Sequence, residues 1–320
     1  MTIEAPSPLS PRGRLWLDEF SVGPSGVFYR KTGARVALNR SLAQEFWAWL
    51  KFYFKVHQEA GRLAPDFTMA FTPDRGRPWY LIWPVMKLAG GRMTHRTSEA
   101  DAIMHFEDAT YSPSAPPAAK TGARLLNFGC PDVSKGRIAA AFEAAFGYPL
   151  ALDPARHVGP AVEKSELNGV HDGRIVTCPT SALPGRVYQR LVDNQRGDLV
   201  EDYRCPTIGG VPICVFVKRR RVTQRFANAN VEVELRSVED VFNAEEVQRI
   251  GAFARSIGLD WGGLDVLRDG PEGRIYIVDA NKTDMGPPTA LPLADKLAAT
   301  RLLARALRAY LGLTDSARAR

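Results

Sequence analysis

The sequence predicts an α+β protein with mainly antiparallel strand pairing, preceded by a small α/β lobe. Three observations carry the prediction. Short strand candidates fill residues 161–217 and end in a pair joined at Gly209-Gly210. Helices with recognisable caps at Ser134 and Asn243 punctuate them, and a strand, helix, strand order comes before residue 110.

With 320 residues, 45% of them hydrophobic and 24% charged, the chain is long enough to bury two cores rather than one. No apolar run approaches the roughly 18 to 20 residues that cross a bilayer, and residues 1–14 lack a charged-then-apolar signal pattern. The expectation is a cytoplasmic protein without a membrane partner. Cys130, Cys178, Cys205 and Cys214 are scattered, with no CxxC pair and no histidine at metal-ligand spacing, so they read as reduced core residues. A net charge of +7 favours an anionic partner: nucleic acid, an acidic polymer or a nucleotide polyphosphate. Zinc-finger spacing, an RNP-type aromatic motif and a helix-turn-helix signature are all missing, which argues against nucleic acid.

Taken in order, residues 1–12 carry Pro6, Pro8 and Pro11 among polar residues and form a loose tail. Residues 41–57 are the first firm helix. Ser41 and Gln44 have capping-box spacing, and Trp47, Leu50 and Phe54 recur on one side, which assigns that side to a core. Residues 79–84 are a short apolar strand, 98–102 a helical turn and 103–106 a second strand, while Arg75, Arg77 and Trp79 either line an acceptor site or stabilise a loop, the loop being the favoured reading. Three prolines among small residues at 112–120 cannot build a packed element and act as a linker, setting a boundary near residue 120.

Beyond it, Ser134 caps a helix to about Phe146 that Gly147 ends, with Ile138, Phe142 and Phe146 inward. Strands follow at 161–164, 174–178, 187–191, 203–208 and 211–217, the last two a hairpin because Gly-Gly supplies the positive φ of a tight turn. Asn243 and Glu246 form a capping box opening a helix to about Ile257. Strands at 262–267 and 274–280 flank a turn at Asp269-Gly270, and a helix carrying Leu303, Leu307 and Leu311 closes the chain.

The sharpest chemical signal is Asp265, in GGLDVLRD, followed by Asp279 and Asn281, in IYIVDANK. Side chains alternate along a strand, so Asp279 and Asn281 share a face, and a hairpin brings Asp265 to it. Two carboxylates and an amide oxygen are hard ligands of the kind magnesium takes when its remaining positions are filled by water and phosphate. The plainer reading is that acidic residues simply end two strands beside turns.

The order Lys135, Lys164, QRL at 189–191, DYR at 202–204, RFANAN at 225–230, then Asp265, Asp279 and Asn281 resembles the ATP-grasp superfamily over about residues 125–290. It is most similar to the branch of bacterial ribosomal-protein glutamate ligases (RimK-like) and glutathione synthetases. The resemblance implies an ATP-grasp fold, two α+β lobes clasping ATP at residues 121–187 and 188–320, behind an N-terminal α/β (pre-grasp-like) domain at residues 1–120. It implies that Lys135 and Lys164 hold phosphates and that the turn at 168–173 covers them with fewer glycines than is usual; His171 in that turn either touches phosphate or caps the turn, capping being the favoured reading. Gln189, Arg190 and Leu191 take the place of the hinge that reads adenine, with Arg190 where an acidic residue is common. Asp193 or Asp202 takes the ribose. Arg204 and one of residues 218–220, Lys218 first, face substrate and phosphate, and Arg225 with Asn228 or Asn230 completes the γ-phosphate surroundings. Asp265, Asp279 and Asn281 are the implied ligands of magnesium, with manganese as a substitute. The ending of residues 282–287, KTDMGP, departs from the family's pattern and bears on substrate choice.

The activity implied is ATP-dependent joining of a carboxylate to an amine through an acyl phosphate, the substrates unnamed. Two alternatives stand beside it: a kinase of the same fold acting on a hydroxyl group, and a non-catalytic polyanion-binding protein. No Walker phosphate loop, nucleophile elbow or dinucleotide fingerprint competes.

Overall fold

A computed structural model describes residues 20–23, 26–29, 34–36, 39–170, 172–226 and 230–313, and divides the chain into two units, Met1–Lys51 and Phe52–Arg320. The expected loose tail lies outside the described residues. The first unit contains an antiparallel sheet of β1 (Phe20–Gly23), β2 (Gly26–Tyr29) and β3 (Ala34–Val36), then the start of α1 (Arg40–Ala60). Asn39 caps α1, its Oδ1 accepting from the Leu42 N–H at 2.8 Å, and Ser41 falls inside the helix. An asparagine just before the first helical residue reaches the third orphan donor, so it displaces the expected cap.

Within the second unit α1 buries Phe52 and Val56, whereas Phe54 is 62% exposed. The predicted stripe of Trp47, Leu50 and Phe54 is therefore not the buried one. In a helix this rich in aromatics, spacing identifies an apolar side without saying which side meets a neighbour. Next comes a parallel sheet in the order β5–β4–β6–β7, made of β4 (Phe67–Pro73), β5 (Gly91–Thr94), β6 (Ala102–Phe106) and β7 (Arg124–Leu126), with α2 (Ile82–Leu88) between β4 and β5.

The strand expected at 79–84 is a correction. Residues 82–88 are α2, and the first strand of this lobe is β4. Pro84 sits in the first turn of the helix, where its missing N–H costs nothing. Six of the seven α2 residues are buried, so the apolar run that suggests a strand is instead a helix enclosed on all sides. Residues 112–120 carry neither helix nor strand.

The remaining elements follow closely from local signals. Ser134 caps α3 (Lys135–Phe146), accepting from the Arg137 N–H, and Gly147 ends it at φ 79°. An antiparallel sheet in the order β10–β8–β9 is built from β8 (Gly159–Ser165), β9 (Arg174–Cys178) and β10 (Arg186–Arg190). The largest sheet has seven strands. Its elements are β11 (Gln195–Arg196), β12 (Leu199–Ile208), β13 (Val211–Pro212), β14 (Val215–Arg221), β15 (Glu232–Arg236), β16 (Trp261–Arg268) and β17 (Ile275–Asn281), with the main path β15–β14–β12–β16–β17. Gly209 and Gly210, at φ 58° and 80°, make the predicted turn, although the returning strand is split into β13 and β14.

The helix α4 (Ala244–Ser256) opens with both halves of the Asn243–Glu246 capping box, and α5 (Leu293–Leu311) closes the described chain. One face of the large sheet, with Tyr203, Cys205, Val217, Leu264, Val266 and Ile277, packs with residues of α3 and α4 such as Phe142 and Phe253 into one core. A second core joins α2, β4 and β6 to α5 through Leu303 and Leu307. Among the described residues no helix is long and apolar enough to cross a membrane.

Candidate functional site

The face of the large sheet that turns away from α3 and α4 is charged. Strand pairing sets Asp202 opposite Lys218, Arg204 opposite Asp265, and Asp265 opposite Asp279. Directly opposed residues of an antiparallel pair share a face, with Cβ atoms roughly 5 Å apart. A bulge between Asp265 and Val266 shifts the register, so Val266 faces Ile277 and Val278 is the extra residue. The two carboxylates thus meet across adjacent strands. Asn281 follows on the Asp279 face of β17, although it does not reach the cavity wall.

Between this face and the small β8–β10 sheet lies a cavity of about 250 Å³. Lys135 enters from the first turn of α3 and donates to Asp279 Oδ1 at 2.7 Å and to Asn168 Oδ1. Lys164, on β8, donates to the Val278 carbonyl at 3.1 Å. Lys218 donates to Asp265 Oδ1 at 3.0 Å, and Arg220 to Asp202 Oδ2 at 2.5 Å. Alternation along β14 turns Arg219 to the other face, where it pairs with Glu201 and Glu234. Arg225 binds the Asn194 side chain and the Val192 carbonyl.

At the other end of the cavity stand Gln189, Arg190 and Leu191. Gln189 is 2% exposed, and among the described residues its Nε2 has no hydrogen-bond partner. Asn230 also lines the cavity with a buried Oδ1 that lacks one. Buried polar atoms left unpaired are costly, and in a cavity wall they are open to a hydrogen-bonding partner.

No protein-family model matches the sequence, and no curated protein matches it. Solved structures match by shape. The ATP-grasp ligase PsnB, complexed with a minimal precursor, Mg and ADP, aligns with a TM-score of 0.50 at 14% identity, covering 76% of this chain and 96% of that one. PsnB complexed with a phosphomimetic variant of the minimal precursor, Mg and ADP gives 0.51 at 14% identity, over 78% and 99%. The chain has the ATP-grasp fold.

In this ATP-grasp fold the described cavity wall carries six cations, Lys135, Lys164, Arg190, Lys218, Arg220 and Arg225, against four carboxylates, Asp172, Asp202, Asp265 and Asp279. The excess suits a polyanion. Burial pushes the Asp265 carboxyl up, but Arg204 and Lys218 outweigh it and hold the group well below the usual carboxylate range. Burial pulls the Lys164 ammonium down to about 8, with Lys135 adding to the fall and Asp279 opposing it.

Asp265 and Asp279 fit a magnesium ion by ligand type: they are opposed side chains that offer hard oxygen donors. Among the described residues, hydrogen bonds to the Asp279 carboxylate fall on Oδ1, from Lys135 and the Ala280 N–H, and Oδ2 stays clear of them. No group of three or more His, Cys, Asp or Glu placed to hold a metal occurs among the described residues.

Not every expected residue enters the cavity. Asp193 does not line it: its backbone carbonyl accepts from the Gly270 N–H and its side chain from the Gln195 N–H, closing a turn, whereas Asp202 is in the wall. Arg204 is also outside the lining, with its fork taken by Asp265 and Asp284. Asn228 and His171 lie outside the described residues. Sequence reasoning missed Asn168, whose Asn-Gly context reads as a turn. Besides meeting Lys135, it donates to the Ala280 carbonyl at 3.1 Å, tying the 168–173 loop to β17.

Proposed function

We propose that the chain is a cytoplasmic ATP- and magnesium-dependent ligase that joins a carboxylate to an amine. The observation that carries this reading is the Asp265–Asp279 pair, ringed by Lys135, Lys164, Lys218 and Arg225 in one cavity between two sheets. That arrangement suits a transferring phosphoryl group, whose catalysis is positioning and charge stabilisation rather than attack by a protein nucleophile.

In this reading residues 121–187 and 188–320 are the two lobes around ATP. Within residues 1–120, the lobe carrying β4, β5 and β6 shapes the acceptor side. Gln189, Arg190 and Leu191 read the base, and Gln189 Nε2 offers its unpaired donor to a ring nitrogen. Asp202 accepts from the ribose hydroxyls. Lys135 and Lys164 hold phosphate oxygens, while Lys218, Arg225 and Asn228 or Asn230 surround the γ-phosphate. Asp265, Asp279 and Asn281 hold magnesium or manganese, which when bound neutralises charge that develops on the phosphoryl oxygens.

The substrate carboxylate oxygen attacks the γ-phosphorus and ADP leaves. The amine nitrogen then attacks the acyl carbon, phosphate departs with that carboxylate oxygen, and the amine loses a proton. No side chain of the protein becomes covalently modified. The test is a screen of carboxylates labelled with ¹⁸O: the ligase reading requires amine-dependent ADP release with one label carried into inorganic phosphate. ADP formation with a phosphorylated alcohol and no amine requirement would establish the kinase reading instead. Salt-dependent polyanion binding without nucleotide binding would overturn both.

A further inference from the structure

Asp265 is held from two directions. Lys218 donates to its Oδ1 at 3.0 Å, and Arg204 Nη1 donates to its Oδ2 at 2.8 Å. Arg204 is itself held by a third carboxylate, since its Nε and Nη2 donate to Asp284 Oδ1 at 3.1 and 2.5 Å. Both partners are buried, Arg204 at 9% and Asp284 at 2% exposure. The planar fork of an arginine fixes the direction of its remaining N–H groups once two are engaged, so the position of Asp284 decides where Nη1 points.

The pair passes close to Gly263, two residues before Asp265 on β16. A Cβ at Gly263 would stand 2.2 Å from Asp284 Oδ2 and 2.5 Å from Arg204 Nε, so only glycine leaves room for it. Asp284 is anchored in turn. Its backbone carbonyl accepts from the Leu81 N–H at 2.9 Å, Thr283 Oγ1 donates to Asp108 Oδ1 at 3.1 Å, and the Gly286 N–H donates to the Trp79 carbonyl at 3.2 Å. The 282–287 loop is thereby fastened to the loops that follow β4 and β6. Meanwhile Asp284 Oδ2 is buried with no hydrogen-bond partner among the described residues. Stability alone does not favour that arrangement, because a buried ion pair is commonly matched or bettered by apolar side chains of similar volume.

We infer that Asp284 is a positioning residue that aims the Asp265 carboxylate at the metal through Arg204. The inference rests on the proposed magnesium-dependent reading. It also makes Arg204 a strut whose fork is filled by the chain's own carboxylates, closed to a substrate carboxylate. Groups behind a metal ligand change metal affinity by about 10- to 100-fold when removed, while leaving the ligand in place.

The experiment is calorimetric titration of the full chain with ADP, with and without Mg²⁺, with Mn²⁺ binding to the ADP complex followed by its EPR signal and melting recorded in parallel. Asp284→Asn keeps the shape and removes the charge. It should weaken Mg·ADP and Mn²⁺ binding about tenfold and leave metal-free ADP affinity unchanged. The double variant Arg204→Met with Asp284→Leu replaces the pair by apolar side chains. It should fold stably yet show the same metal-specific loss, which keeps the question answerable if Asp284→Asn fails to fold. Wild-type metal affinity in either folded variant would overturn the inference, as would equal losses with and without metal, which would mark Asp284 as support for the cavity as a whole. A wild-type chain whose ADP affinity ignores Mg²⁺ would overturn the metal reading beneath it, an outcome read before any variant is made.

Discussion

Lys135 Nζ lies 2.7 Å from Asp279 Oδ1, so the first residue of α3 is tied to the strand that carries one of the two facing carboxylates. The ammonium is almost wholly buried, at 6% exposure for the residue. A buried cation at a cavity wall with an excess of positive charge is placed to receive phosphate oxygens once an ion takes over its carboxylate. Replacing Lys135 by methionine keeps the packing of its stem and removes one charge-assisted contact, worth about 1.5 to 3 kcal/mol. ADP affinity measured by calorimetry should therefore fall roughly 10- to 100-fold. An unchanged affinity would remove Lys135 from the nucleotide site.

Lys164 gives the site a pH signature. Its folded value near 8, against an ordinary 10.5, comes from burial first. Between pH 8 and 10.5 the unfolded chain holds a proton that the folded one has released, so this group's penalty is full below about 8 and relieved as pH rises through that window. Bound phosphate reverses the preference by favouring the ammonium. ADP binding at pH 8.5 should therefore take up protons, seen as a dependence of binding heat on buffer ionisation enthalpy, and affinity should fall as pH rises through 8. Lys164→Met should abolish the uptake; if uptake persists in that variant, another group carries it.

The parts of this fold that local sequence specifies are those whose physics is local. The Asn243–Glu246 box closes within one helical turn, Ser134 and Gly147 bound α3 from either end, and the pair Gly209-Gly210 carries its own turn geometry. The opposition of Asp265 and Asp279 follows from one hairpin and period-two alternation, and it is legible for the same reason. Where the outcome depends on what lies alongside, the reading fails. Residues 82–88 have a strand-like composition and become a buried helix because neighbours cover every side. The contact between Arg204 and Asp284 spans 80 positions and depends on how the 282–287 loop folds back, which no periodicity encodes.

Gly258 tests the packing behind the site. It sits at φ +69°, and a Cβ there would lie 1.9 Å from the Gly129 carbonyl oxygen. That clash is with backbone, so no side chain can turn away to relieve it. Gly258→Ala adds left-handed strain of roughly 1 to 2 kcal/mol to the cost of separating two loops. A loss of at least about 2 kcal/mol is expected in denaturant melts, with ADP affinity of the folded fraction unchanged. A melt like that of the wild type would mean that the two loops separate freely.

Gln189 separates binding from stability most sharply. It is buried on β10, and its Nε2 has no partner among the described residues, so the fold on its own bears the cost of an unsatisfied donor, about 1 to 3 kcal/mol. Leucine has a similar volume and no such donor. Gln189→Leu should therefore raise the melting temperature of the ligand-free protein. If Nε2 donates to the base, the same change should weaken ADP binding by about tenfold and leave the affinity for inorganic triphosphate unaltered, because the phosphate end of the cavity is untouched. Stability and affinity moving in opposite directions is the decisive result. A variant that loses stability would show that the amide is satisfied within the fold, and one that loses triphosphate affinity equally would place Gln189 away from the base.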